Sequence, residues 1–367
     1  MQEDSEKVVV GITMGDVNGI GPELLLKVFS DARMLNLLTP VIFGSGKALY
    51  YYKNLLKFEN FTYQNIQQPH QIQPGRINFV ECSPNFERVE VGIASPKAGY
   101  AAFQALERAL LFLKEGKLDA LVTLPVNKAV IQNEKFRFPG HTEYLAEKAG
   151  VKDSLMLMIH ENLRIGVVTG HIPLRQVAQT LSFEKVYQKI KIFRETLLVD
   201  FGIEKPKIAV LALNPHAGDN GLLGFEEKDF IQPAINKAYE EGIFTLGPYP
   251  ADSFFTTPYY QKFDGILAMY HDQGLIPFKT ITLGLGVNFT AGLPFVRTSP
   301  DHGTAYDIAG TNSADETSFR HAIFSAIDIF RTRKMNQRLY ANAMQPIGIS
   351  ELISSEDSIL NEEENST

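Results

Sequence analysis

A single cysteine, Cys82, excludes an intrachain disulfide and a Cys-rich zinc site. Long apolar runs are missing too. The stretches at 8–13 and 155–159 fall far short of the ~20 residues that a bilayer span requires, so no membrane partner is expected. Basic residues are outnumbered, with 35 Lys and Arg against 42 Asp and Glu, for a net charge of −7. Nucleic acids and anionic membranes call for a concentrated basic face, and neither is an expected partner. An anionic small molecule needs only two or three basic groups inside a cleft and stays open. The first residues, Met1-Gln-Glu-Asp-Ser-Glu-Lys7, lack the basic and apolar pattern of a targeting segment. A reducing, cytoplasmic setting is the expectation.

The 367 residues are 44% hydrophobic and 21% charged, ordinary values for a globular protein. At roughly 150 residues per domain, the length suggests two domains. Short aliphatic runs at 8–13, 41–43, 120–123, 165–169, 208–213 and 265–269 read as strands. Their unbroken hydrophobicity fits a sheet covered on both faces. Amphipathic stretches alternate with them. Ser95 and Pro96 suit an N-cap and a first-turn position, and Ala102, Leu106, Ala109 and Leu113 then repeat at helical spacing until Gly116. Further helices are expected at 184–201, at 226–241 with a kink at Pro233, and from about Glu316 onward. Strand alternating with helix implies an α/β fold with a mainly parallel sheet. Nothing in the middle is linker-like, which favours two interleaved lobes around a cleft. Residues 354–367 read as a frayed, disordered tail.

Gly15-Asp-Val-Asn-Gly19-Ile-Gly21-Pro22-Glu23 follows a strand, but it lacks the G-x-G-x-x-G spacing of a dinucleotide loop. A structural role and an indirect role in a site both stay open for it. Gly44-Ser-Gly46-Lys47 is not a P-loop, because Val41 stands where the first Gly belongs and Ala48 where Ser or Thr would hold magnesium. Three histidines follow strands in loops rich in Gly and Pro: His171, His216 and His271. Loops at the carboxyl ends of parallel strands share one rim, where three imidazoles could hold a metal with open positions. Each could equally bond only to backbone, since the spacing carries no local metal signature. His70, His160 and His321 sit in ordinary surroundings. Gly140-His-Thr142-Glu143 opens a helix, with Thr142 as N-cap and Gly150 as stop, and a helix N-terminus attracts anions. Lys279, Asn288 and Arg297 lie in a stretch dense with Gly and Pro, where the two cations could bind phosphate or carboxylate.

Together these segments resemble the 4-hydroxythreonine-4-phosphate dehydrogenase family of vitamin B6 biosynthesis, from Gly11-Ile-Thr-Met-Gly-Asp16 to Asp307-Ile-Ala-Gly310. Pro139-Gly-His-Thr-Glu143, Asn214-Pro-His-Ala-Gly218, Tyr270-His-Asp-Gln-Gly274 and Gly292-Leu-Pro-Phe-Val-Arg-Thr298 carry the likeness most specifically. The resemblance implies a two-lobed α/β/α fold like that of isocitrate and isopropylmalate dehydrogenases, without a Rossmann domain. It implies a cofactor-side lobe of about 1–130 plus 265–350 and a dimerisation and metal-side lobe of about 131–264. His171, His216 and His271 match ligands of one divalent ion (Zn, Mg or Co), the last donated across a homodimer interface. His141, Thr142, Lys279, Asn288 and Arg297 match substrate-binding positions. His302, Gly303, Thr304 and Asp307 resemble the adenine-side loop for NAD or NADP, although Tyr306 replaces a usual Pro. Gly170, Leu124 and the acidic extension also depart from the family pattern.

The implied chemistry is oxidation of 4-phosphooxy-L-threonine at C3, then decarboxylation to 3-amino-2-oxopropyl phosphate. Lys279, Asp252 and Asp272 are candidates for the base. A dehydrogenase for 4-phosphoerythronate or 4-phosphothreonate is the near alternative, and a non-catalytic binding protein the distant one.

Overall fold

The computed structural model describes residues 7–138 and 140–341. Pro139, the tail expected at 354–367 and the end of the 265–350 segment lie outside them. Twelve strands among the described residues form one sheet: β1 (Val8–Thr13), β2 (Leu38–Gly44), β3 (Gln64–Ile66), β4 (Asn78–Glu81), β5 (Ala120–Thr123), β6 (Leu155–His160), β7 (Leu163–Thr169), β8 (Ile208–Leu211), β9 (Thr245–Tyr249), β10 (Gly265–Tyr270), β11 (Val287–Ala291) and β12 (Val296–Pro300). Their order is β3-β4-β2-β1-β5-β12-β11-β6-β7-β10-β8-β9.

Every residue of β2 and β5 is buried, which is why these strands read as continuous rather than alternating apolar runs. The α/β class expected from the alternation is the one observed. Its sheet is parallel towards both ends and antiparallel in the middle, where β11 runs against both β6 and β12, and β6 against β7. That antiparallel centre was not legible, because β11 and β12 sit among glycines and prolines that read as loop. Asn288 and Arg297 therefore lie on strands. β10 is paired on both sides, with β7 and β8, and shares a core with them through Val167, Leu211 and Ile266. Residues 265–270 thus pack with the 131–264 segment.

The helix Pro96–Lys114 begins as expected, with the Ser95 hydroxyl accepting from Ala98 N–H. The 226–241 stretch is a π-turn, Glu227–Ile231, followed by the helix Gln232–Glu240, and Pro233 sits in that helix's first turn, where no N–H is needed. One expectation is corrected. Gly140, not Thr142, caps the helix His141–Lys148, and the Glu143 carboxylate in the first turn accepts from its own N–H. The Thr142 hydroxyl instead lies 3.4 Å from that of Thr290 on β11.

Candidate active site

Strands β7, β10 and β8 are parallel neighbours, so the loops after them leave on one rim. Thr169 and Tyr270 are register partners, which places the next residues side by side. The His171 and His271 rings stand 5.5 Å apart between centroids within one chain. Each has a carboxylate at Nδ1: Asp272 Oδ1 at 2.7 Å from His271, and Glu143 Oε1 at 3.6 Å from His171. A carboxylate at Nδ1 leaves Nε2 as the free ligand atom, the usual arrangement behind metal-binding histidines. His216 does not join them. It is exposed on a turn whose residues 216–220 are all left-handed, and Asn214 before it is clamped by Glu226 and Glu227. Among the described residues, no group of three metal-binding side chains is assembled.

The His171–His271 pair opens into a cavity of about 450 Å³. His141, Thr142, Lys279, Asn288, Arg297, Asp272, His302 and Gly303 also line it. Asp252, Thr304 and Asp307 do not; Asp252 is exposed on a short helix, and Thr304 O instead accepts from Ile20 N–H. Four lining residues, Thr123, Lys128, Glu143 and Asp301, had no role in the sequence reading. The available signal was position. Thr123 ends β5 and Lys128 follows it, Asp301 follows the end of β12, and Glu143 belongs to the Gly140-His-Thr-Glu segment itself.

Arg297 is buried in the cavity wall. Its Nε and Nη2 donate to Thr123 Oγ1 at 3.1 and 2.6 Å, and its Nη1 donates to Thr290 Oγ1 at 3.1 Å. Burial pulls its pKa down to about 10, against the pull of Glu143. His141 is crowded by protein; burial, with Arg297 and Lys128 nearby, depresses it to about 3 and keeps the imidazole neutral. Burial also lowers Lys128 and His302. In Glu143 burial acts upward, but hydrogen bonding to His171 and other favourable contacts leave the carboxyl below its ordinary value. Lys279 pairs with Asp301 at 2.8 Å. Glu143 Oε2, Asn288 Oδ1 and Asp301 Oδ2 are buried acceptors with no partner among the described residues. The cavity thus combines two neighbouring imidazoles, three cations and three unpaired acceptors.

The pyridoxal phosphate biosynthetic protein PdxA family matches residues 36–326. The chain belongs to that family. A PdxA-family relative from Bacteroides thetaiotaomicron, a 4-hydroxythreonine-4-phosphate dehydrogenase, is 49% identical over 93% of this chain and 94% of its own. A relative from Oceanobacillus iheyensis, provisionally named a D-threonate 4-phosphate dehydrogenase, is 39% identical over 90% of this chain and 100% of its own. The crystal structure of 4-hydroxythreonine-4-phosphate dehydrogenase from Klebsiella pneumoniae superposes with a TM-score of 0.78 at 35% identity, covering 89% of this chain and 99% of that one. The PdxA fold therefore extends over nearly all of the described chain. No helix among the described residues is long and apolar enough to cross a membrane.

Proposed function

We propose that this PdxA-family protein is a 4-hydroxythreonine-4-phosphate dehydrogenase acting in the cytoplasm on 4-phosphooxy-L-threonine. The C3 alcohol becomes a ketone, with its hydride going to NAD or NADP and its hydroxyl proton to a base. The resulting β-keto acid loses CO2 and takes a proton at C2, giving 3-amino-2-oxopropyl phosphate. The observation that carries this reading is the charge pattern of the cavity. A zwitterionic phosphate ester brings two anionic ends and one ammonium. Lys128, Lys279 and Arg297 answer the first, and the acceptors Glu143 Oε2, Asn288 Oδ1 and Asp301 Oδ2 suit the second.

His171 and His271, each with a carboxylate behind it, fit one divalent ion (Zn, Mg or Co), and His216 would complete its ligands. Such an ion, when bound, supplies Lewis-acid stabilisation of a developing oxyanion. Because His171 and His271 already meet within one chain, the geometry favours His216, in place of His271, as the ligand lent across a homodimer two-fold. Thr142, at the start of its helix, contacts the substrate, and neutral His141 donates or accepts without adding charge. Arg297, fixed by two threonine hydroxyls, holds its remaining donors in place before substrate arrives. Lys279 and Asp272 are the base candidates in the cavity wall, and Asp252 lies outside it. His302, Gly303, Thr304 and Asp307 are the proposed contacts of the nicotinamide cofactor, on the cofactor-side lobe.

The test is purified protein with 4-phosphooxy-L-threonine, NAD or NADP and a divalent metal, followed at the reduced-cofactor absorbance. Metal-dependent reduction with release of CO2 is expected. No reduction with any metal or cofactor would remove the assignment. One second reading has a specific observation behind it: the Oceanobacillus iheyensis relative points to D-threonate 4-phosphate, which has a hydroxyl where the ammonium would be.

A further inference from the structure

Lys279 and Asp301 reach the cavity wall from different parts of the sheet. Lys279 belongs to the helix His271–Thr282, which packs on β7 and β10. Asp301 follows β12, a strand buried at every residue and paired with β5 and β11. The two differ in freedom. The Lys279 side chain is 48% exposed and that of Asp301 only 8%. A lysine so placed has many rotamers open to it, and a carboxylate fixed by the backbone can select one.

Asp301 is fixed in that way. Its N–H donates to Ser318 Oγ at 3.0 Å, and the Ser318 hydroxyl donates to Gly286 O at 3.0 Å. A Cβ on Gly286 would meet Phe278 Cε1 at 2.4 Å and Asp301 Oδ2 at 3.1 Å, so glycine leaves room for both side chains. Lys279 Nζ then donates to Asp301 Oδ1 at 2.8 Å and to Asp301 O at 3.3 Å. A lysine nitrogen offers three positions. Two are taken by one residue, which leaves a single position of fixed direction on a side chain that lines the cavity.

Stability does not account for the pair. An ion pair with one exposed partner adds little. Asp301 Oδ2 is buried with no partner among the described residues, which counts against folding.

We propose that Asp301 is a positioning residue for the chemical step, which holds Lys279 Nζ against the reacting group of the substrate. This rests on the reading of the cavity as a dehydrogenase site. Asp301 acts through Lys279, whose orientation is set before substrate arrives.

Asp301→Asn is nearly isosteric and exchanges the ionic contact for a neutral one, whereas Asp301→Ala removes it. The kcat for 4-phosphooxy-L-threonine should fall about tenfold in the first and towards about a hundredfold in the second, the range implied by a lost charge-assisted bond and by a misplacement of about 1 Å. KM for the nicotinamide cofactor and, in Asp301→Asn, the urea unfolding midpoint should stay near wild type. A second arm needs no turnover. In protein whose lysines carry isotope-labelled methyl groups, the Lys279 resonance is identified by its loss in Lys279→Met. It should stand apart from those of free lysines and join them in Asp301→Ala. An unmoved resonance would overturn the proposal, as would a moved resonance with unchanged kcat, or a loss carried by substrate KM alone. If wild-type protein shows no turnover, the dehydrogenase reading fails, and the resonance still decides whether Asp301 holds Lys279.

Discussion

The 15–23 loop after β1 and the cavity treat polar groups in opposite ways. In the 15–23 loop the buried polar side chains, Asp16, Asn18 and Glu23, are all matched. Asp16 accepts from Asn18 N–H at 2.9 Å and from the Tyr306 hydroxyl at 2.6 Å, and Asn18 bonds to Ile93 O and Glu90 N–H. Glu23 takes the N–H groups of Gly310 and Ala314, which sews the loop to the 301–314 segment. Gly15 is there for space and φ: at φ +72 a Cβ would lie 2.4 Å from Pro125 O. The cavity is the reverse. Of seven buried side-chain polar atoms without a partner among the described residues, four belong to its lining: Glu143, Asn288, Asp301 and His302. Unsatisfied buried groups are costly in a finished structure, so their concentration at one place marks where a ligand completes the bonding. The glycine loop holds the fold, and the cavity leaves polar groups open to a ligand.

The comparison breaks most readily at the histidines. His171→Ala should cost more in activity than the roughly 10- to 100-fold typical of removing an outer-sphere partner, with bound metal falling in parallel and thermal stability little changed. Chain mixing sharpens it. If His216 is the residue lent across a two-fold, inactive His171→Ala chains mixed with inactive His216→Ala chains should regain about a quarter of wild-type activity. Half of the dimers are then mixed, each with one complete cleft of two. His171→Ala mixed with His271→Ala should regain nothing. The opposite pattern would restore His271 as the donated ligand.

Next in size is the split between stability and catalysis. Tyr306→Phe leaves one Asp16 oxygen buried without its donor, which costs about 1–3 kcal/mol in denaturant unfolding. Its kinetic constants should stay close to wild type. Asn288→Ala loses no bond from its side-chain oxygen, so unfolding should shift little while KM for substrate rises. If both variants moved the same observable, the division between the two regions would collapse.

The smallest effect is on pH dependence, where the two regions carry opposite signs. His141 is depressed to about 3, whereas an unfolded histidine titrates near about 6.5. Below about 6.5 the unfolded chain takes up a proton that the folded one refuses. The stability tied to His141 is therefore complete above that pH and drains away towards 3. Burial raises Asp16, so its contribution is fullest below the unfolded value of 3.8 and is lost as pH rises through its folded pKa. His141→Gln should flatten the fall in stability on the acid side. An unaltered slope would mean that the imidazole is not the group being protonated.

How much of this was legible follows from burial. Strands such as β1 and β5 were readable because both of their faces are covered and their residues are uniformly apolar. β11 and β12 were not, because the groups that serve the cavity, Asn288, Thr290, Arg297 and Ser299, interrupt the hydrophobic run. The His171–His271 pair followed from the rule that parallel strands open on one rim. The loop after β8 escaped that rule, since nothing local signals five consecutive left-handed residues. Thr142 looked like a cap by residue type, but its hydroxyl lies beside β11, a strand that the sequence did not announce.

The most direct measurement is the ratio of kcat/KM for 4-phosphooxy-L-threonine over D-threonate 4-phosphate in the metal-loaded wild-type protein. The two differ at the group that the unpaired acceptors of Glu143, Asn288 and Asp301 would meet, an ammonium with three donors against a hydroxyl with one. A charge-assisted bond predicts a preference of about tenfold or more for the amino substrate, shrinking in Asn288→Ala. A ratio near one, or a preference for the hydroxy acid, would contradict the claim that these acceptors select the substrate.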